Sequence, residues 1–423
     1  MNPTNIMTPT RAAVPRVASA PSALTRVVFL DNVRYLMVLL VVVYHSVAAY
    51  SAVAPHWYTH DTSFFAADIV RELFDVFLMP VMFFVAGYFA LPSLEKKGVW
   101  EFLKDKAKRL LIPWALAVLI VTPLAVYDQP NKPITPFWNY WLHYVGNLEI
   151  RLNFPQYGPQ YQNVYWFISL LFAFFIVFAL VYTVTRGGRS RAGLAVGRKV
   201  TNDQPVFGTL MLFGVLTSVG YFVSLLLCPD ATWFRLGLLL EFQAPRLVLF
   251  AGYLAFGVYA QSHKWFTDGK PLGSIALWGT ASVALTAAYL AFVQPLVANP
   301  AGTLGLPVGL LLAFAFVRSF MLLSLLVVFV SFGVRYWNRS NGLDRQLAAT
   351  SYNIYLTHVW FVVILQEALT TWAGGPTLAK FAIVLLAALA LSYAISRWVI
   401  GRFPRAFVMI ILALFAFCLV FRP

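Results

Sequence analysis

The chain has 423 residues, enough for two or three soluble domains, yet 60% of them are apolar and only 11% are charged, against roughly 45–50% and about 25% in soluble domains. That composition leaves too little polar surface for a soluble fold of this size, and 37 Phe, 20 Tyr and 13 Trp exclude a disordered or low-complexity chain. The net charge of +15 is carried by short basic clusters between long apolar runs, so it reads as a topology signal and not as a nucleic-acid-binding face.

Residues 1–26 hold Pro, Ala, Ser, Thr and three Arg with no acid, and lack the apolar core of a signal peptide. They are expected to form a disordered cytoplasmic tail. About 20 apolar residues cross the hydrocarbon core as a helix. On that ruler the sequence predicts spans near 33–54, 69–91, 110–128, 164–185, 207–227, 245–262, 272–293, 308–333, 349–371 and 378–400, with a shorter apolar segment at 407–421. The predicted fold is an all-α polytopic membrane bundle of 10–11 helices. Between the second and third spans, Glu95 to Arg109 carries Trp100, Phe102 and Leu103 among basic residues and reads as an interfacial helix. The Pro- and aromatic-rich stretch 128–163 is the largest outer loop, either lining an entrance or lying at the headgroups. Summed over alternate connections, one side holds 22 Lys and Arg and the other four, namely Lys132, Arg151, Arg235 and Arg422. The positive-inside rule then places the amino terminus in the cytoplasm; the expected location is the cytoplasmic membrane.

Ionisable residues inside spans are costly and mark candidate sites. On the first span, Asp31, Arg34 and His45 fall on one helical face: eleven steps of about 100° bring His45 within about 20° of Arg34, roughly 16 Å along the axis. This reading puts Arg34 near the cytoplasmic headgroups and His45 near mid-membrane. An imidazole can take a proton near neutral pH, and an Arg suits a phosphate or carboxylate. A substrate with an anionic end, a long arm and a reactive end would match, and acyl-coenzyme A has that shape. The alternative makes Asp31 and Arg34 a helix-start ion pair and His45 a satisfied histidine between helices.

Further along, Asp68, Arg71 and Asp75 have the spacing of a same-face charge network, with Glu72 beside it, and read as structural. On the ninth span Ser351, Tyr355 and His358 lie three to four residues apart on one face, as a second site or as belt and packing residues. Arg246, Arg318 and Glu367 are single charges in apolar context, each needing a partner. Cys228 and Cys418 match no metal or redox spacing. No Gly-rich phosphate loop, G-x-S-x-G or H-E-x-x-H occurs, so no metal site or bound cofactor is expected.

Several segments together resemble the acyltransferase family 3 of integral membrane proteins. Arg34 and His45 fit its Arg-x10-His signature. PVMFFVAGYFA (80–90) is similar to its FF-x-x-SG segment, with Ala86 in place of Ser. KAKRLLIPW (106–114), VYWFISLLFAF (164–174), FAGYLAFGVYA (250–260) and SYNIYLTHVWFV (351–362) resemble later segments in the same order. The resemblance implies an acyltransferase domain over 27–405, with 406–423 as an additional carboxyl-terminal membrane helix. It implies O-acyl transfer from cytoplasmic acyl-coenzyme A, a substrate and not a bound cofactor, to a carbohydrate or other hydroxyl acceptor at the outer side. His45 would be the base and Arg34 its partner in holding the donor, with Asp31 behind Arg34. Lys108 and Arg109 would be donor contacts, and His358, with Tyr355 and Ser351, a second site. The FLDNVR opening and the absence of an appended domain look closest to periplasmic glucan succinyltransferases. The rival readings are a proton-coupled secondary transporter built on Asp31, Arg34 and His45, disfavoured because no half-to-half repeat is visible, and a non-catalytic scaffold.

Overall fold

The structure, a computed structural model, describes residues 27–54, 57–127, 136–146, 150–151, 162–187, 206–266, 269–297, 303, 305–339 and 341–421. The expected amino-terminal tail 1–26, the basic connection 188–205 and most of the loop from 128 to 161 lie outside them. The described helices are α1 (Val28–Ser46), α2 (Phe65–Lys97), α3 (Val99–Leu124), α4 (Phe137–Gly146), α5 (Trp166–Gly187), α6 (Val206–Leu227), α7 (Leu247–Ser262), α8 (Ile275–Val297), α9 (Val308–Tyr336), α10 (Gly342–Thr370), α11 (Thr377–Ile400) and α12 (Pro404–Phe421). Ten of them are long and apolar enough to cross a membrane; the exceptions are α4 and the 16-residue α7. The chain is thus an all-α polytopic membrane protein. The short apolar segment at 407–421 lies within one of these ten helices, α12.

The interfacial helix expected over Glu95–Arg109 is not a separate element. Gly98, at φ 77°, ends α2 by placing its N–H on the Leu94 carbonyl at 2.8 Å, a left-handed stop that glycine adopts without strain. No breaker follows until Pro113, so the basic amphipathic stretch and the third apolar run form the single helix α3. That helix contains two π-helical turns, Ala107–Leu111 and Ala117–Val121. Pro123 has no N–H for the Leu119 carbonyl four residues back. Trp141 of α4 donates its indole N–H to that carbonyl at 2.8 Å, and Tyr144 donates its hydroxyl to Val118 O at 2.9 Å. Two aromatics of the segment after α3 thus repair the defect and fix α4 on α3.

Helix α1 lies at the centre of the bundle, 67% buried over its most apolar stretch, whereas α12 is 6% buried and lies at the rim. α1 packs on α2, α9, α10 and α11. α2 and α7 approach closely through Gly87 and Gly257: a Cβ on Gly257 would lie 2.1 Å from the Phe84 carbonyl oxygen, and one on Gly87 2.0 Å from that of Leu254. Between α6 and α7 the chain makes an antiparallel hairpin, β2 (Trp233–Leu236) and β3 (Leu240–Gln243), with β1 (Ile150–Arg151) added at the β2 edge. Its register pairs Arg235 with Glu241, whose side chains form a 2.8 Å ion pair.

Candidate active site

Arg34 and His45 both face α10. Arg34 makes a 3.2 Å ion pair with Asp31 and donates to the Ala348 carbonyl at 3.3 Å. His45, eleven residues further along α1, meets His358, ten residues beyond Ala348 on α10, with Nδ1 of His45 3.1 Å from Nε2 of His358. The shared face expected on α1 is therefore present, and α10 is the surface that reads it. With 37% of its side chain exposed, Arg34 is open at the end where α1 begins.

His45 does not lie mid-span. It is in the last turn of α1, 17 residues or roughly 25 Å from Val28, because the helix stops at Ser46 and passes into a 3-10 turn at Ala48–Tyr50. The carbonyls exposed by that stop have side-chain partners. Gln366 donates its amide to His45 O at 3.2 Å and Ser46 O at 3.0 Å, and Arg71 donates to Tyr44 O at 3.4 Å. Gln366 in turn accepts from Trp57 Nε1 at 2.7 Å, and the Trp57 ring stacks on His45 at 5.3 Å between centroids. The imidazole is thereby held between an indole face and α10.

The histidine tautomers follow from their neighbours. His358 Nδ1 lies 2.8 Å from the Tyr355 carbonyl, and His45 Nδ1 lies 3.0 Å from that of Val41. A ring nitrogen that close to a carbonyl oxygen carries the proton, since two lone pairs would repel. His358 Nε2 is then an acceptor, shared with Val41 O for the single N–H of His45 Nδ1. The remaining ring nitrogen, His45 Nε2, is left unprotonated in the neutral pair and has no hydrogen-bond partner among the described residues. This is the arrangement a general base needs: one nitrogen anchored, the other carrying an available lone pair.

The other predicted residues are placed differently. Ser351 donates back to Ala348 O at 3.1 Å, and the Tyr355 hydroxyl donates to Val164 O. Both are buried, and Tyr355 ties α10 to the segment before α5 while the Ser351 bond stays within α10; His358 alone of that trio meets His45. Lys108 and Arg109 are exposed on the first π-turn of α3, and Arg109 pairs with Asp105 at 3.0 Å. The structure does not bring either to Arg34. α3 packs mainly on α5, α2 and α12.

Asp68, Arg71 and Asp75 share a face but not a network. Asp68 accepts from Ser51 at 2.7 Å, Arg71 lies over the Tyr44 ring at 4.3 Å, and Asp75 pairs with Arg246 and Arg318. Each meets a different neighbouring element, which helical spacing alone cannot distinguish. Arg246 and Arg318, expected as isolated charges, belong instead to one buried cluster with Asp75 and Asp230. Arg246 makes two bonds to Asp230, at 2.9 and 2.5 Å, and Arg318 donates to Tyr289 at 2.7 Å, whose hydroxyl is 3.4 Å from Glu72. Burial would raise the Asp230 carboxyl, but Arg246 and Arg318 outweigh it and hold it well below the usual carboxylate range. Glu367 accepts from Thr59 at 2.9 Å. Asp230 follows the end of an apolar run, which was its only sequence signal; Trp57 and Gln366 had none.

The family model described as an acyltransferase domain matches residues 27–397 of this chain. No curated protein and no solved structure matches it.

Proposed function

The chain belongs to the acyltransferase family 3 of integral membrane proteins, and from that premise we propose that it moves an acyl group from acyl-coenzyme A to a hydroxyl of a carbohydrate or related acceptor at the outer face of the cytoplasmic membrane. The observation that carries this reading is the free Nε2 of His45, with its ring anchored by His358 on the same helix face as Arg34. The 22-to-four distribution of basic residues supports a cytoplasmic amino terminus, so Arg34 would meet the donor's anionic nucleotide end. His45 lies roughly 16 Å further along α1, within the reach of a pantetheine arm and close to the opposite end of the bundle.

In the proposed step Nε2 of His45 removes the acceptor's hydroxyl proton while that oxygen attacks the thioester carbon. The carbon–sulfur bond then breaks, and the departing thiolate takes the proton back from the imidazolium. Positive charge developing on His45 is stabilised through its Nδ1–H, donated to His358 Nε2 and Val41 O. Asp31 orients Arg34, and Trp57 and Gln366 hold the His45 ring and the backbone beneath it. Lys108 and Arg109, exposed on α3 and on the cytoplasmic side in this reading, would be contacts for the donor phosphates. The FLDNVR resemblance supports a succinyl group and a glucan acceptor as the finer assignment.

A proton-coupled transporter would use the same charges but would move substrate without consuming a thioester. The test is His45→Ala in membranes given labelled acyl-coenzyme A. Transfer should fall by roughly 10²–10⁴-fold, the usual contribution of a general base. Undiminished transfer at normal expression would exclude the mechanism. Mass spectrometry of envelope glycans with and without the gene should show the mass of the transferred group on its acceptor.

A further inference from the structure

Arg71 is a cation inside a membrane-spanning helix, 6 residues or roughly 9 Å from the start of α2 at Phe65. Among the described residues no carboxylate lies within ion-pair distance of it. The nearby acids have partners of their own: Asp68 binds Ser51 and the Val53 N–H, Asp75 binds Arg246 and Arg318, and Glu72 faces Tyr289. A charge kept in such a position without a counter-ion marks a functional site. Its guanidinium is nevertheless fixed. It lies over the Tyr44 ring and donates to both Tyr44 O at 3.4 Å and Tyr44 Oη at 3.2 Å. Those two bonds leave three of the five guanidinium N–H donors unused. Tyr44 precedes His45, and the two rings meet edge to face at 5.0 Å.

We infer that Arg71 binds a carboxylate of the substrate while the reacting centre lies at His45. A half-buried guanidinium held rigidly beside the base, with donors to spare, fits the planar, two-oxygen geometry of a carboxylate. Two sources would place one there: an acyl group ending in a second, free carboxylate, or an acceptor sugar carrying an acid. This inference rests on the acyl-transfer reading and names the substrate class that the site selects.

The experiment compares two ratios of kcat/KM in purified wild type, Arg71→Met and Arg71→Lys. The first ratio is succinyl- over butyryl-coenzyme A, donors of equal chain length with and without the distal carboxylate. The second is a uronic-acid oligosaccharide over its neutral counterpart as acceptor. In wild type one ratio should exceed unity by about 10–150-fold, the range for a hydrogen-bonded charged group, and Arg71→Met should bring that ratio near one. Arg71→Lys should retain part of the preference, as a point charge without the fork. A fall in the donor ratio identifies the acyl carboxylate, and a fall in the acceptor ratio identifies the sugar acid. If wild type shows neither preference, or Arg71→Met lowers activity and thermal stability together with both ratios unchanged, Arg71 only caps the end of α1 and the inference is overturned. Failure of acyl transfer itself is separate: wild type would then consume no thioester with any of these donors.

Discussion

Replacing His358 isolates what the histidine pair adds to the base. His358→Ala removes the acceptor 3.1 Å from His45 Nδ1 but leaves the Val41 carbonyl at 3.0 Å and the stacked Trp57. The tautomer therefore survives, and the loss is confined to the transition state. There His45 becomes an imidazolium, and a hydrogen bond from a charged donor is worth about 1.5–3 kcal/mol against roughly 0.5–1.5 for a neutral one. The difference, about 1–1.5 kcal/mol, corresponds to a fall in kcat of roughly tenfold with KM for the donor little changed. Steady-state transfer from labelled acyl-coenzyme A in membranes measures both constants, with thermal unfolding of the purified protein as the folding control. His358→Gln, whose amide oxygen can still accept from Nδ1, should recover much of the loss. The reasoning is refuted if His358→Ala leaves kcat unchanged. It is equally refuted if a folded His358→Ala protein is as inactive as His45→Ala, since His358 would then move the proton itself.

Three further outcomes follow from the packing. Arg318→Ala leaves Asp75 and Asp230 short of a buried cation and should destabilise the protein by about 3–5 kcal/mol; a change under about 1 kcal/mol in detergent unfolding would contradict the buried cluster. Gly257→Ala puts a Cβ 2.1 Å from the Phe84 carbonyl oxygen, so α2 and α7 must separate. Overpacking of this kind costs about 1–3 kcal/mol, and a thermal midpoint equal to wild type would refute the close approach. Asp61 accepts from Lys380 at 2.7 Å; burial would raise its carboxyl, but Lys380 and the Thr62 N–H outweigh it and lower its pKa. A depressed folded pKa contributes stability above the usual carboxylate range that is lost as pH falls through the folded value. The wild-type thermal midpoint should therefore drop more steeply on acidification than that of Lys380→Met, and parallel curves would refute the pairing.

Although the run at 245–262 folds as the 16-residue α7, too short to count as a span, and the first helix is Val28–Ser46 instead of 33–54, the amino-acid sequence by itself determined the membrane class, the place of most spans and the alignment of Asp31, Arg34 and His45. These depend on run length and helical period, both local properties of one segment. It also placed Ser351, Tyr355 and His358 on one face of α10, yet the assignment of roles within that trio needed the neighbours. Spacing marked Asp68, Arg71 and Asp75 as companions, whereas packing sent each to a different neighbouring segment. Only the tertiary structure joined His45 to His358 across 313 residues of chain, assembled Asp75, Asp230, Arg246 and Arg318 into one cluster, and left Arg71 beside Tyr44 with no ion-paired carboxylate among the described residues. The physical reason is that a helix presents a face but does not choose what covers it. His45 keeps its tautomer through Val41 O on α1 itself, but the second acceptor for its Nδ1–H and the indole its ring stacks on come from other segments, and no periodicity in α1 encodes them.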